Sequence, residues 1–276
     1  MIFINAISYS TSMVSPAQWC NFVISKKEIM KLTNRTILVT GGNSGIGYET
    51  AKLLIKQGNK VIITGRDVAK LEKAGAALGA DIIPVDVTKA EDVASLVAII
   101  EASYSELSVL INNAGGGKVY RLGEVDQTLK IAREEFDTNY FGTIRLTESL
   151  LPLLKKQPEA AIVNLGSNVA FHPLVVLPTY SDSKAALHSY TIALRLTLAN
   201  TSNIKLFEVF PSLIDTEGTR ALGLNDGLPA SVAAENIAEG IEQDHYEIFV
   251  GEAGKQRTAF LADPEAAILS FNKGLI

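Results

Sequence analysis

The stretch Thr40-Gly41-Gly42-Asn43-Ser44-Gly45-Ile46-Gly47 decides the fold of this chain. It follows a short apolar run and opens a segment whose apolar residues have helical spacing, which predicts a strand–turn–helix junction. Glycines at such a junction permit a tight turn and let backbone N–H groups approach a pyrophosphate at the positive end of the helix. The spacing is GxxxGxG, whereas the usual dinucleotide fingerprint is GxGxxG, and a purely structural turn is the alternative. The residues predicted to bind a cofactor here are Gly41, Asn43, Ser44, Gly45, Ile46 and Gly47.

Outward from this turn, short β-branched runs alternate with longer stretches of helical periodicity, the pattern of a parallel sheet covered by helices. Most of the runs are apolar throughout, which is typical of strands buried on both faces. No internal repeat or linker interrupts the pattern, so we predict one α/β domain. The predicted strands are Thr36–Thr40, Lys60–Thr64, Asp81–Val85, Ser108–Ile111, Ala161–Leu165, Lys205–Phe210 and Tyr246–Val250.

Some helix ends are also legible in the sequence. Gly58 and Gly79 stand where a helix ends with a left-handed residue. Thr88 followed by Glu91 predicts a capping box at the start of the next helix. Asp263-Pro264 predicts an N-cap followed by a proline in the first turn of a short C-terminal helix.

The composition excludes several classes of protein. The chain has 276 residues and a formal net charge of −5, which argues against a nucleic-acid binder that needs a basic surface. A single cysteine, Cys20, excludes an internal disulfide framework and a cysteine-rich zinc site. Three scattered histidines without a carboxylate cluster predict no metal site. No stretch approaches the roughly 18 uncharged apolar residues of a membrane span.

The N-terminal segment differs from the rest of the chain. Residues 1–25 carry no charged side chain, yet they lack the basic start and long apolar block of a secretory signal. They also lack the arginines of a transit peptide, so a cytoplasmic location is expected. We predict a poorly ordered extension over residues 1–30 and a reductase domain over residues 31–276. An arm that packs on a partner subunit is the alternative for the extension.

The end of the second predicted strand bears on the choice of nicotinamide cofactor. An NAD site places an acid there to bind the ribose hydroxyls, whereas an arginine suits the 2′-phosphate of NADP. Here Gly65 occupies the expected acid position and Arg66 follows it. A guanidinium binds a phosphate bidentately, so we predict NADP(H) in preference to NAD(H). Asp67 tempers this prediction, because it would either pair with Arg66 or cap the next helix.

Tyr180-Ser181-Asp182-Ser183-Lys184 is the second chemical motif. Residues four apart share a helix face, so Lys184 is expected to lie near Tyr180. Ionising a free tyrosine at pH 7 costs about 4 kcal/mol, and a positive charge about 4 Å away supplies about as much at an effective dielectric constant near 20. Lysine and a cationic nicotinamide would therefore bring the phenol into the range useful for acid–base catalysis.

Ser167 lies 13 residues before Tyr180, just after a predicted strand. Parallel-sheet proteins place ligand-binding groups at such strand ends. The hydroxyl would hold a substrate carbonyl oxygen and stabilise developing alkoxide charge. Ser167 is not surrounded by the GxSxG elbow of a hydrolase, because its neighbours read Leu165-Gly166-Ser167-Asn168-Val169.

Together the residues TGGNSGIG, NNAG at 112–115, Asn139, Ser167 and YSDSK resemble the short-chain dehydrogenase/reductase family. The resemblance covers about Lys31 to Gly251, and the motif set is highly specific. The single-domain branch implies a three-layer α-β-α Rossmann fold with a doubly wound, seven-stranded parallel sheet. It implies that Tyr180 is the general acid/base and that Lys184 lowers the tyrosine pKa and binds the nicotinamide ribose. It also implies that Ser167 orients the carbonyl and that Asn139 holds a water of a proton relay. The extended, epimerase-like branch fits less well.

The same resemblance implies further cofactor contacts. Asp86 and Val87 match a pair that contacts adenine. Asn113, Ala114 and Gly115 match a segment that lines the cofactor. Ile214 and Thr216 match residues that contact the nicotinamide carboxamide. The chain departs from the family at Ser212, where a glycine usually follows the proline. This departure resembles the bacterial DltE-like subgroup. Many relatives pair helices equivalent to those around Glu135–Leu154 and Tyr180–Leu198, which implies a homodimer or homotetramer.

The substrate pocket is less defined by sequence. The loop Asn168–Thr179 is expected to flank a medium-sized ketone or aldehyde, and Glu217–Pro229 is expected to form a mobile lid. His172 in that loop would be either solvated or a polar contact to the substrate. We therefore predict an NADP(H)-dependent oxidoreductase that interconverts a small-molecule carbonyl and an alcohol. The alternative is a non-catalytic NADP(H)-binding sensor or scaffold.

Overall fold

The computed structural model describes residues 29–276. Its main sheet has seven parallel strands in the order β3-β2-β1-β4-β5-β6-β9, and a separate two-stranded sheet pairs β7 with β8. The strands are β1 (Thr36–Thr40), β2 (Lys60–Gly65), β3 (Asp81–Pro84), β4 (Leu107–Asn112), β5 (Ala160–Leu165), β6 (Ile204–Pro211), β7 (Ile214–Asp215), β8 (Leu228–Pro229) and β9 (Glu247–Val250).

Ten α-helices connect these strands within the described residues. A π-helical turn at Asp137–Gly142 connects two of the helices directly, and a short 3-10 turn at Asn168–Ala170 follows β5. The helices are α1 (Gly45–Lys56), α2 (Val68–Leu78), α3 (Ala90–Ser103), α4 (Thr128–Phe136), α5 (Thr143–Leu154), α6 (Pro178–Ala199), α7 (Glu217–Ala221), α8 (Ala230–Glu242), α9 (Ala253–Ala262) and α10 (Pro264–Phe271).

The predicted Rossmann fold is confirmed. Each of the seven predicted strands is present, with ends that differ from the prediction by at most one residue. β2 and β4 lie on opposite sides of β1 and both pair with it, so the chain reverses its direction of winding at β1. The crevice beyond the carboxyl ends of β1 and β4 is therefore the ligand position of a doubly wound sheet.

Alternating side chains of the strands build two hydrophobic layers. Ile37 and Val39 of β1 point to one face, where α1, α2 and α8 pack. Leu38 points to the opposite face, against α3, α5 and α6. This alternation follows from the two-residue period of a strand, and it explains why uninterrupted apolar runs form the centre of a three-layer fold.

Helix ends follow the sequence signals in three of the four cases. Gly58 and Gly79 have φ angles of 85° and 68°, as predicted, and the side chain of Asp263 accepts a hydrogen bond from the Ala266 N–H. The prediction of a capping box at Thr88 is wrong. The N–H and the hydroxyl of Thr88 both donate to Oδ1 of Asp86, and the helix instead has Lys89 as its N-cap, without a side-chain cap hydrogen bond.

The start of the domain also differs from the prediction. Met30, assigned to the extension, is fully buried together with Leu32 in the core layer that contains α1. Residues 1–28, where the predicted extension and its alternative as a subunit-binding arm fall, lie outside the described residues. Within residues 29–276, no helix combines the length and the apolar character that a bilayer crossing requires.

Candidate active site

The glycine-rich turn lies between β1 and α1 at the crevice. Gly41 and Gly45 have φ angles of 62° and 55°, the left-handed conformation that glycine adopts without strain. Ser44 caps α1 with its backbone only, since its side chain makes no cap hydrogen bond, and the first turn of the helix holds no acidic residue. Backbone N–H donors and the positive end of α1 therefore face the crevice, which fits the pyrophosphate of a dinucleotide.

The end of β4 holds this turn in place. The hydroxyl of Thr40 accepts hydrogen bonds from the N–H groups of Asn113 and Ala114, both at 2.9 Å. The side-chain amide of Asn113 donates to the carbonyls of Thr40 and Gly41 at 2.9 and 3.2 Å. A Cβ at Gly47 would lie only 2.4 Å from that amide nitrogen. Asn113 thus directs its side chain into the turn, and Gly47 allows α1 to approach it.

The structure resolves the role of Asp67 beside Arg66. The carboxylate of Asp67 accepts a hydrogen bond from the Lys70 N–H at 3.0 Å and caps α2. Arg66 is exposed. Gly65 packs against Asn43 of the glycine-rich turn, where a Cβ would lie 3.1 Å from the side-chain amide. The end of β2 therefore offers a guanidinium and no strand-end carboxylate.

Asp86 and Val87 lie at the carboxyl end of β3. Burial acts to raise the pKa of Asp86, but hydrogen bonds from Thr88 and the charge of Arg66 outweigh it, so the pKa is lowered. Val87 is buried, and its carbonyl accepts a hydrogen bond from Arg145 at 2.8 Å. Both residues are thus ordered at the edge of the crevice.

Asn139 lies in the π-helical turn between α4 and α5. Its side-chain oxygen accepts from the Gly116 N–H, and its amide donates to the Gly116 carbonyl and to the hydroxyl of Ser183, all at 2.9 Å. These bonds connect the turn to the segment after β4 and to α6. The side chain is buried and locked in orientation, and a Cβ at Gly115 would lie 2.9 Å from its oxygen.

Tyr180, Lys184 and Ser167 meet beside these elements. The Lys184 ammonium lies 5.6 Å from the centroid of the Tyr180 ring and donates to the Leu165 carbonyl at 2.6 Å. The Ser167 hydroxyl is close enough to the Tyr180 phenol to act on its pKa, which it acts to lower. Ser167 follows β5 and accepts from the Val169 N–H at 3.3 Å, which starts the 3-10 turn. The spacing of four residues on α6 thus brings the pair together as predicted.

Without the cationic nicotinamide, the protein holds Tyr180 as a neutral phenol. Burial, only partly offset by the hydrogen bond to Ser167, raises the pKa of Tyr180 to about 12. Burial lowers the pKa of Lys184 from 10.5 to about 8, while the charge of Glu208 acts to raise it. The balance drawn from sequence set the ionisation cost against the charges of Lys184 and a cationic nicotinamide, and it left out the desolvation of both side chains. At neutral pH the phenol therefore keeps its proton and the ammonium remains charged.

Ile214 and Thr216 lie on the far side of the glycine-rich turn. Ile214 is buried in β7, and the hydroxyl of Thr216 caps α7 by accepting from the Thr219 N–H at 3.1 Å. A Cβ at Gly45 would lie 3.0 Å from the Thr216 methyl group, so the segment packs directly on the turn. Ser212, in place of the usual glycine, donates its backbone N–H to the Val250 carbonyl at 3.2 Å. Serine is thus accommodated beside β9.

His172 is not solvated. It is 1% exposed, and its ring lies 4.3 Å from that of Phe271 and 6.1 Å from that of Phe260. Neither ring nitrogen has a hydrogen-bond partner among the described residues. Burial lowers its pKa, because a charged imidazolium cannot be hydrated there. The C-terminal helices α9 and α10 cover this loop, which periodicity alone could not show.

Sequence reasoning missed several residues that support the site. A Cβ at Gly117 would lie 2.8 Å from Cγ of Tyr180, so only glycine lets the segment after β4 pass the ring. Glu135, buried on α4, accepts from the Lys118 N–H at 2.8 Å and from the hydroxyl of Thr179. The row of three glycines at 115–117 was the one available signal. A glutamate in an amphipathic helix, such as Glu135, gave no such signal.

These features define the class of the protein. A doubly wound Rossmann domain carries a glycine-rich phosphate-binding turn, and a tyrosine, a lysine and a serine converge beside it. The sequence model of the short chain dehydrogenase family matches residues 35–226. The chain therefore belongs to the short-chain dehydrogenase family, and it is an NAD(P)-dependent oxidoreductase. Within residues 29–276, no group of three His, Cys, Asp or Glu side chains is placed to hold a metal ion.

Several known proteins resemble the chain over most of its length. The uncharacterized oxidoreductase DltE of Bacillus subtilis strain 168 is 42% identical over 193 residues, 68% of this chain and 74% of that protein. An uncharacterized oxidoreductase of Staphylococcus aureus strain USA300 is 32% identical over 218 residues, 76% of this chain and 90% of that protein. The predicted resemblance to the DltE-like subgroup is confirmed.

Solved structures extend the comparison. A short chain dehydrogenase from Burkholderia cenocepacia J2315 in complex with NADP superposes with a TM-score of 0.77 at 27% identity, covering 88% of this chain and 99% of that one. A short chain dehydrogenase/reductase from Burkholderia phymatum in complex with NAD has a TM-score of 0.79 at 21% identity, covering 86% and 96%. At that identity the second likeness shows the fold.

Proposed function

We propose that this protein is an NADP(H)-dependent oxidoreductase that interconverts a carbonyl and a secondary alcohol, with Tyr180 as the general acid/base. The observation that carries the proposal is the convergence of Ser167, Tyr180 and Lys184 beside the crevice between β1 and β4. A phenol whose pKa burial raises to about 12 is protonated at neutral pH, so it is prepared to donate a proton to a forming alkoxide. Nicotinamide, when bound, supplies or accepts the hydride.

Each residue of the site has a role that follows from its environment. The hydroxyl of Ser167 holds the substrate oxygen next to the Tyr180 phenol, where its hydrogen bond stabilises developing negative charge. The ammonium of Lys184 adds a positive charge that favours the phenolate after the proton has left. Asn139, locked by its bonds to Gly116 and Ser183, keeps the backbone of this region in one arrangement. The residues that would hold the pyrophosphate are those of the glycine-rich turn.

The preference for NADP(H) rests on the end of β2. Gly65 leaves room for the ribose and places no carboxylate against a 2′-phosphate, while the exposed guanidinium of Arg66 supplies the charge that such a phosphate needs. Asp67 is occupied in capping α2. The Burkholderia cenocepacia relative binds NADP, which supports the same choice. The contacts of Asp86, Val87, Ala114, Gly115, Ile214 and Thr216 to the cofactor belong to this proposal.

A homodimer or homotetramer is also part of the proposal. Phe141, Ile192 and Leu196 are 48%, 39% and 53% exposed on the helical layer formed by the π-helical turn and α6. Large apolar side chains that remain exposed on packed helices favour a partner surface. The cytoplasmic location stays a prediction from the sequence.

The assignment of Tyr180 is tested by Tyr180→Phe. The variant should bind NADPH as the wild type does, because the ring still packs against Gly117, but it should reduce none of a panel of aldehydes and ketones. NADPH oxidation is followed by absorbance, and cofactor affinity by fluorescence titration. Wild-type turnover in this variant would show that another group supplies the proton. Cofactor binding without turnover in the wild type itself would favour the alternative, a non-catalytic sensor or scaffold.

The cofactor preference is tested by Arg66→Ala. Loss of a charge-assisted phosphate contact of about 1.5–3 kcal/mol predicts roughly tenfold or greater weakening of NADPH binding, with little change for NADH. Lys73→Ala, at an exposed position further along α2, serves as the control for a loss of one positive charge. Equal loss of affinity for both cofactors would contradict the assigned role of the guanidinium.

A further inference from the structure

A carboxyl–imidazole pair, Glu208 and His188, lies in the interior next to the end of β5. Glu208, in the middle of the apolar strand β6, is 0% exposed. Its Oε2 accepts a hydrogen bond from Nδ1 of His188 at 2.8 Å, and its Oε1 has no hydrogen-bond partner among the described residues. A buried carboxylate costs several kcal/mol unless neighbouring charge compensates it. In its ionised form, the carboxylate at the centre of the sheet would need a compensating positive charge nearby.

Lys184 is placed to supply that charge. It precedes His188 by one helical turn on α6, so both side chains face the same strands. Its ammonium donates to the Leu165 carbonyl at 2.6 Å. Oε1 of Glu208 lies 2.9 Å from the position of a Cβ at Gly166, the next residue along the chain. The ammonium and the carboxylate thus approach neighbouring residues at the end of β5.

The surrounding charges are few. Arg195, about two helical turns beyond His188 on α6, favours the ionised form of Glu208, and Glu247 on the neighbouring strand β9 opposes it. Glu135 on α4 accepts a hydrogen bond from the hydroxyl of Thr179, next to Tyr180, and its charge acts to raise the tyrosine pKa. Burial raises the pKa of Glu208, while the hydrogen bond and charge of His188 act to lower it. The negative charge of Glu208 in turn acts to raise the pKa of Lys184.

We propose that Glu208 and His188 form a buried acid–imidazole pair that keeps the ammonium of Lys184 charged and directed toward the Tyr180 side of the crevice. Glu208 is thus a positioning residue that acts through Lys184, and His188 supports it by donating to the carboxylate. The pair acts on the site through its charge, and neither Glu208 nor His188 contacts the substrate. The catalytic meaning rests on the proposed function, whereas the electrostatic coupling does not.

The coupling is tested by titrating Lys184 directly. Protein labelled with 13C at the lysine Cε is followed by NMR against pH, and the Lys184 resonance is assigned by its absence in Lys184→Arg. The midpoint should fall to lower pH in Glu208→Gln. It should stay at the wild-type value in Glu247→Gln, which removes the same charge one strand further away at the position paired with Glu208. An unchanged midpoint in Glu208→Gln would overturn the proposal.

A second variant protects the test against misfolding. His188→Phe keeps an aromatic ring against Phe171 and Phe210, whose centroids lie 5.1 and 5.3 Å from the histidine ring, and removes the donor to Glu208. Without that donor the carboxyl favours its neutral form, so the Lys184 midpoint should again fall. If Glu208→Gln does not fold, an unchanged midpoint in His188→Phe overturns the proposal equally.

Turnover then separates this inference from the proposed function. In Glu208→Gln the alkaline limb of kcat/KM should move to lower pH, and activity on the acid side of that limb should approach the wild-type value. NADPH affinity at pH 6.5 should be unchanged. A shifted Lys184 midpoint with no shift in the pH profile would restrict the pair to a structural role. Failure of carbonyl reduction in the wild type would leave the NMR result standing.

Discussion

Replacing Lys184 by methionine should make the stability of this protein less dependent on pH. Burial lowers the pKa of Lys184 from 10.5 to about 8. This difference of about 2.5 pH units, at about 1.4 kcal/mol each, means that holding the charged lysine in the fold costs about 3 kcal/mol at pH 7. Methionine fills a similar volume without a charge. It leaves the Leu165 carbonyl without its donor, which costs about 1–3 kcal/mol and does not depend on pH.

The sign of the pH dependence follows from proton binding. Between pH 8 and 10.5 the unfolded chain keeps the lysine proton while the folded protein releases it, so the wild type gains stability relative to Lys184→Met as pH rises. Urea unfolding at pH 7 and pH 9.5 measures both proteins. The stability difference between them should change by about 2 kcal/mol in favour of the wild type at the higher pH. Lys155→Met, at an exposed position, is the control. A difference independent of pH would refute the assignment of a desolvated ammonium.

Two further predictions concern the packing of Tyr180 and the burial of His172. Gly117→Ala should displace the Tyr180 ring, because the added Cβ would lie 2.8 Å from its Cγ, and reduce kcat by up to about 100-fold. Gly116→Ala has open space for its Cβ and should retain activity, so equal activity of both variants would contradict the packing argument. His172→Leu should lose less stability than the wild type between pH 7.5 and 5, as measured by Tm. In the wild type the unfolded chain protonates His172 at a pH where burial still keeps the folded ring neutral, so the fold loses stability as pH falls. Parallel Tm curves for the two proteins would show that the imidazole is not desolvated.

Much of the site could be predicted because it depends on short-range spacing. Tyr180 and Lys184 are four residues apart on a helix, and this alone places them together. The glycine-rich turn needs a strand before it and a helix after it, and both are visible as changes of period. Ser167 was found because it follows a strand of a parallel sheet, and all such strand ends meet at one edge.

The remaining features depend on contacts between distant parts of the chain. Desolvation sets the pKa of Tyr180 and of Lys184, and it comes from α6 being packed against β5 and the segment after β4. The unusual pair of Glu208 and His188 joins residues on a strand and on a helix, and each residue taken separately gives no signal. His172 is buried because α9 and α10 fold back over its loop.

The sequence by itself determined the strands of a parallel sheet, the glycine-rich turn and the proximity of Tyr180 to Lys184, since periodicity and local spacing encode them, and the family resemblance added the topology and the expected catalytic roles. The tertiary structure alone decided how these groups are charged. A side-chain charge depends on how much water and which other charges surround it, and these are set by residues far away in the chain.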